Sequence, residues 1–333
     1  MADLLVEIPQ NPIPEGTVTG RFQTADGLGL RYARIPPGGA ANRGTVVLLP
    51  GRNEYIEKYL ETAGDLARRG YGSAIVDWRG QGGSDRLLQD RDRGYVVDFD
   101  DYVRDLDRFF EHVILPDCRG PYYVLAHSTG VLIALLAAPS LANRVRRMVL
   151  LAPLLGLPTT PRIALWVRRL ASFLYMIGLG KMYMPGRRGR DKLPAFSPAS
   201  LSSDRERFAR NRATVVQRQE LAINGPTVAW TRAMFQAIDR VTDPAFMAAL
   251  HIPLLFLAAG ADRVVSGQAI ENYASRLRSA SLLTIDGARH ELLQEADIYR
   301  EQALAAFFAF IDDGASTGAA ASSYGVLQSG KTT

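Results

Sequence analysis

The sequence has one cysteine, Cys118, so no disulfide can form within its 333 residues. That usage suits a reducing compartment. Histidine is also scarce: His112, His127, His251 and His290 are too scattered to suggest a zinc cluster, and no metal is expected. No window reaches about 18 consecutive apolar residues, so no spanning helix is expected. Residues 1–16 are acidic, polar and proline-spaced rather than built around an apolar core, and a cytoplasmic location is expected. A dinucleotide fingerprint is missing too. The glycines of Asp77-Trp78-Arg79-Gly80-Gln81-Gly82-Gly83-Ser84 do not follow the first parallel strand, and no ribose-binding acid is suitably spaced, so no organic cofactor is expected.

What the chain does have is a hydrophobic content of 47%, enough for a large core, and a net charge of +5 that is unevenly spread. Residues 156–240 hold 15 Arg and Lys against 5 Asp and Glu, a segment charge of +10, which leaves the remainder near −5. Such a surface attracts anionic lipid, nucleic acid or an acidic protein, or keeps a protein soluble. Nucleic acid is not expected, because no recognition module accompanies the charge.

Alternating segments at Val18–Thr24 and Leu28–Ile35, joined around Asp26-Gly27, predict a hairpin. A strand at Thr45–Leu49, a helix over Glu54–Arg69 and a strand at Gly72–Trp78 make a βαβ unit. A helix over Asp98–Val113, strands at Tyr122–Ala126 and Arg147–Leu151, and a resumed βα pattern from Pro253 to Ile311 predict an α/β fold with an open, mostly parallel sheet. The last helix is expected over Leu292–Ile311. Residues 156–240 break this rhythm with helical stretches at Pro161–Gly178 and Leu201–Gln219, and read as a helical cap inserted between core segments 17–155 and 241–311. Residues 312–333 are rich in Ser, Gly, Ala and Thr and are expected to form a tail.

Between the strand at Tyr122–Ala126 and the helical pattern from Val131 lies Ala126-His127-Ser128-Thr129-Gly130, the frame of a nucleophile elbow with alanine first. A serine nucleophile needs a base and an acid that orients it. Asp262 follows the penultimate strand and His290 follows the last one, which puts both on the sheet edge that carries Ser128. His127 is expected to shape the site, His251 falls at the wrong edge, His112 ends a helix, and Asp286 is an alternative acid too close to His290 in sequence. Oxyanion donors are expected from the amide of Thr129 and that of Arg52, in the loop Pro50-Gly51-Arg52-Asn53-Glu54, where Gly51 permits a tight path. The Arg52 side chain is expected to pair with Glu54, the alternative being an ester phosphate. Asp77 and Arg79 are expected to support the nearby loop.

Together Gly51–Tyr59, Asp77–Ser84, Arg93–Tyr102 and Ala126–Gly130, with Asp262 and His290, resemble the α/β-hydrolase superfamily over residues 17–311, and within it the bacterial lysophospholipase and monoglyceride-lipase-like serine hydrolases. Residues Ala213–Phe235, with Gly225-Pro226-Thr227 and Trp230, look like the cap of the lysophospholipase-type members. The chain departs from that pattern at Pro50 (often His), Thr129 (often Met) and Val131 (often Gly), changes that keep the backbone donors. The resemblance implies hydrolysis of a carboxylic ester through an acyl-enzyme, with a lysophospholipid or monoacylglycerol as substrate. Small non-lipid esters or amides, or a non-catalytic lipid-binding role, are the alternatives. A cap mixing Trp166, Phe173 and Met176 with Arg162, Arg168, Arg169, Lys181, Arg187, Arg188, Arg190 and Lys192 implies an apolar acyl site and transient contact with a membrane surface.

Overall fold

Val18–Gln23 (β1) and Gly29–Ile35 (β2) pair antiparallel as the turn at Asp26-Gly27 predicts, Gly27 supplying a positive φ of 85°. The computed structural model describes residues 5–39, 41–186, 195–197 and 201–324, with side chains to Asp312. Thr45–Leu49 (β3), Gly72–Val76 (β4), Tyr122–His127 (β5), Val145–Leu151 (β6), Leu254–Ala259 (β7) and Ala280–Ile285 (β8) complete an eight-stranded sheet in the order β1-β2-β4-β3-β5-β6-β7-β8. β2 pairs antiparallel with β4, and the strands from β4 to β8 run parallel.

The apolar runs of the central strands follow from burial on both faces. Val47, Leu49, Val124, Ala126, Met148 and Leu150 join one buried cluster, while Val46, Leu48, Tyr123, Leu125, Val149 and Leu151 join another. Leu60–Arg68 (α1) covers the second cluster. The helix expected from Glu54 is split, because Ile56–Tyr59 is a 3-10 turn whose entry is pinned by Asp77 Oδ1 accepting from Ile56 N at 2.9 Å. On the other face Asp100–Phe109 (α2) continues through a π-turn, Phe110–Ile114, into the short Leu115–Asp117 (α3). It packs against Thr129–Leu141 (α4), which is buried over nearly its whole surface and accordingly apolar all round.

Between β6 and β7 the described residues of the cap form Pro161–Met176 (α5), Arg205–Gln217 (α6) and Val228–Thr242 (α7). Helix α6 starts four residues later than expected because Asp204 caps it, accepting from Arg207 N at 2.8 Å. Pro244–Ala248 (α8) leads back to β7, Gly267–Ala274 (α9) joins β7 to β8, and Asp297–Tyr324 (α10) closes the fold. The last helix begins at Asp297 rather than Leu292, since Leu292–Gln294 is a 3-10 turn and Glu295 bonds to its neighbour's amide, Ala296 N, at 3.0 Å. The last helix also runs past its expected end at Ile311 to Tyr324, into the stretch expected as a tail, and residues 325–333 lie outside the described residues.

Part of the cap's positive charge is spent on anchoring it. Arg207 Nη2 and Arg210 Nη1 both reach Glu61 of α1, at 2.6 and 2.5 Å, and Arg207 Nη2 also reaches Asp297 of α10 at 2.7 Å. Burial opposes the charge on Glu61, but these arginines and Arg300 outweigh it and draw its carboxyl down to about 2. The run Arg187, Arg188, Arg190 and Lys192 lies outside the described residues.

Candidate active site

Strand β5 and helix α4 meet at Ser128, whose backbone takes φ 51° and ψ −112°. This left-handed conformation is costly for a residue with a side chain, and surrounding bonds over-determine it: Ser128 N donates to Leu151 O at 2.9 Å, and Leu154 N donates to Ser128 O at 3.3 Å. Gly130 is required by proximity, because a Cβ there would collide with the Leu49 and Pro50 carbonyl oxygens of β3 and its following loop. The small residues of the elbow therefore let helix and sheet backbones touch while the serine side chain projects from the strand end.

Loops after β7 and β8 bring the other two predicted residues to it. His290 Nε2 lies 3.0 Å from Ser128 Oγ, and His290 Nδ1 lies 2.8 Å from Asp262 Oδ2. The other carboxylate oxygen accepts from Val264 N at 2.7 Å and Val265 N at 3.1 Å. Burial works against the Asp262 charge, yet the His290 hydrogen bond and the two amides keep its carboxyl below the ordinary value. An ionised acid there fixes the imidazole with a proton on Nδ1 and a free lone pair on Nε2, facing the serine hydroxyl. Ser128 and His290 are 7% and 5% exposed, so the chain of three is nearly dry. Asp286, the alternative acid, is exposed.

The loop after β3 runs beside the elbow. A Cβ on Gly51 would come within 3.2 Å of Ser128 Cβ and 3.1 Å of His127 Nδ1, so glycine allows this approach without displacing its neighbours. Thr129 opens α4, where a first-turn N–H has no acceptor within the helix, and the Arg52 amide stands next to Gly51. The support for this loop comes mainly from residues that the sequence reading did not single out. Trp78 Nε1 donates to Pro50 O at 2.8 Å, and Gln81 Nε2 donates to Gly51 O at 2.8 Å. Asp77 contributes through Ile56 N and Gly83 N, at 2.9 and 2.7 Å. Arg79 instead binds Asp105 of α2 and Asp26 of the β1–β2 turn, because those carboxylates face it, and so braces the neighbouring wall rather than the Gly51 loop.

The expected Arg52–Glu54 pair does not form. Glu54 is taken up by Gly51 N, by Tyr59 Oη at 2.6 Å, by Lys58 Nζ at 3.1 Å and by His127 Nδ1 at 3.0 Å. Burial disfavours its charge, but His127 and Lys58 prevail and hold its carboxyl well below the ordinary range. His127 is in turn raised above its ordinary value, the Glu54 carboxylate outweighing burial. Its Nε2 meets the His290 carbonyl oxygen at 3.0 Å, so His127 holds the backbone of the second histidine rather than touching the serine proton. Glu291 completes the network by accepting from Lys58 Nζ at 2.7 Å. The only hint in the sequence was the acidic and basic spacing of Glu54 and Lys58, one helical turn apart.

Comparison with known proteins agrees with this geometry. Residues 40–297 match the family described as serine aminopeptidase, S33. Lysophospholipase L2 of Escherichia coli strain K12 is 32% identical over 307 residues, covering 87% of this chain and 86% of that protein. A probable lysophospholipase L2 of Haemophilus influenzae is 28% identical over 280 residues, covering 83% and 86%. Among solved structures, a soluble variant of monoglyceride lipase from Saccharomyces cerevisiae shares the fold with a TM-score of 0.70 at 19% identity, covering 90% of this chain and 97% of that one. The monoacylglycerol lipase of Paleococcus ferrophilus does so with a TM-score of 0.64 at 21% identity, covering 83% and 96%. The chain belongs to the S33 family of the α/β-hydrolase superfamily and is a serine-hydrolase-type member related to the lipases and esterases.

Proposed function

We propose that this protein hydrolyses the ester of a single-chain lipid, a lysophospholipid or a monoacylglycerol, through an acyl-enzyme on Ser128. The observation that carries the reading is the continuous chain Asp262–His290–Ser128, with links of 2.8 and 3.0 Å at the strand ends. His290 takes the serine proton as Oγ attacks the carbonyl, then gives it to the departing glycerol oxygen. Water enters, loses a proton to His290 as it attacks the acyl carbonyl, and the fatty acid leaves as His290 returns that proton to Ser128 Oγ. The amides of Arg52 and Thr129 receive the developing oxyanion. The names of the bacterial relatives favour a lysophospholipid, and those of the solved lipases favour a monoacylglycerol. Turnover of matched lysophospholipid, monoacylglycerol, short-chain ester and aminoacyl amide distinguishes the classes. The single-chain lipids are expected to exceed the short ester in kcat/KM by about tenfold or more, since each added buried methylene contributes about 0.8 kcal/mol. Hydrolysis of the short ester alone would remove the lipid assignment.

The same reading includes contact with an anionic lipid surface from the cytoplasmic side. Helix α5 turns Trp166, Phe173 and Met176 outward, at 72%, 53% and 75% exposure, beside exposed Arg162 and Arg169. Apolar side chains flanked by cations match the headgroup boundary of an anionic bilayer. Sedimentation with phosphatidylglycerol vesicles is expected to recover the protein, whereas phosphatidylcholine vesicles recover less. Trp166→Ser with Phe173→Ser is expected to weaken binding about tenfold or more. Equal sedimentation of the double variant would rule this surface out.

A further inference from the structure

Among the described residues, none gives the Arg52 side chain a counter-charge. Its Nη2 donates to Asn224 O at 2.5 Å, its guanidinium carbon lies 5.3 Å from the centre of the Trp230 ring on α7, and its Nε is inaccessible and unpartnered. No carboxylate lies within ion-pair distance of it among the described residues. Elsewhere the rule is different: Arg31, Arg79, Arg207, Arg210 and Arg300 each face at least one carboxylate. Arg86 has none among the described residues, but its Nε, Nη1 and Nη2 all donate to carbonyl oxygens. Glu54, two residues from Arg52, is held by four other groups.

A half-buried cation without an anionic partner is costly, and burial lowers the Arg52 guanidinium to about 10. Tying the cap to the core explains the bond to Asn224, which a neutral donor would make equally well. It does not explain a charge. The position does: residue 52 adjoins Gly51, and the Gly51 backbone touches the elbow, so the side chain starts beside the reacting ester and runs under the cap.

We infer that the Arg52 side chain is the specificity-determining contact for a phosphate ester, receiving the phosphate of a lysophospholipid whose acyl carbonyl lies at Ser128. This rests on the lipid-ester reading above and separates its two substrates. In a lysophospholipid the phosphate and the acyl ester share one three-carbon glycerol, so a phosphate site must lie close to the nucleophile. A planar guanidinium suits the oxygens of a phosphodiester, and the substrate supplies the missing negative charge. A monoacylglycerol leaves it unmatched.

The experiment compares lysophosphatidylglycerol with monoacylglycerol of the same acyl chain, using wild type, Arg52→Gln and Arg52→Lys, each shown to be folded by its melting temperature. For Arg52→Gln, kcat/KM is expected to fall at least about tenfold further on the lysophospholipid than on the monoacylglycerol, mainly through KM, with Arg52→Lys between. Equal losses on the two lipids in both variants would overturn the assignment and leave Arg52 as a positioning residue of the loop. A separate arm adds inorganic phosphate to the monoacylglycerol reaction. Activation that disappears in Arg52→Gln would make this a site for free phosphate and overturn the headgroup role, whereas indifference, or weak inhibition lost in Arg52→Gln, supports it. Wild type that cleaves neither lipid would remove the parent reading and this inference together, an outcome distinct from a loss shared by both substrates.

Discussion

Ser128→Ala is expected to lower ester turnover on the order of 10⁶-fold and to abolish covalent labelling by a fluorophosphonate, with little change in the fold. The substitution removes one oxygen from a side chain that accepts no tertiary role beyond its 3.0 Å contact with His290 Nε2. The strained backbone at φ 51° is shared by serine and alanine, so the elbow's cost is unchanged. Asp262→Asn is expected to lose less, about 10⁴-fold, because asparagine would favour the tautomer with Nε2 protonated and leave the nucleophile without a base. The Val264 and Val265 amides that now bind Asp262 Oδ1 can still meet an amide oxygen, so this loss belongs to the proton inventory rather than to a collapsed loop. Steady-state rates and labelling of the intact protein check both variants. Labelling that persists in Ser128→Ala would place the nucleophile elsewhere.

The parts of this site that were legible in the sequence are those set by local geometry or by chain order. The small residues around Ser128 report a backbone that must pass close to Leu49, and Asp262 and His290 each follow a strand whose end faces the elbow. The charged groups behind the site were not legible. Lys58 meets Glu291 from 233 positions away, and His127 meets the carbonyl of His290 across 163, distances over which no spacing rule operates. Arg52 failed for a related reason. Glu54 is the nearest acid in sequence, but the fold delivers His127 and Lys58 to it first, and the described residues of the returning cap offer Arg52 a carbonyl and an indole face. Element boundaries moved where a side chain intervened, as with Asp204 at the start of α6.

Arg31→Met is expected to destabilise the fold by about 3–5 kcal/mol. Arg31, Glu57 and Asp77 have fully buried side chains. Arg31 Nη1 and Nη2 clasp Glu57 at 2.9 and 2.8 Å, and Arg31 Nε reaches Asp77 Oδ2 at 2.7 Å. Burial opposes the guanidinium charge, but the two carboxylates overcome it and raise Arg31 above its ordinary value. Removing the arginine strands two acids in a dry interior, and most of the loss comes from their unmatched charge rather than from the missing contact. Adding Glu57→Gln should therefore recover part of the stability, a coupling readable from urea unfolding of the two single variants and the double. Asp77 cannot be neutralised in the same way, since it also accepts from Ile56 N and Gly83 N. Through Ile56 it holds the turn that follows the Gly51-Arg52 loop, so folded Arg31→Met is expected to label more slowly at Ser128 as well. A variant that loses less than about 1 kcal/mol, or a double variant no more stable than Arg31→Met, would show that the stranded charges are relieved by water or by protonation instead.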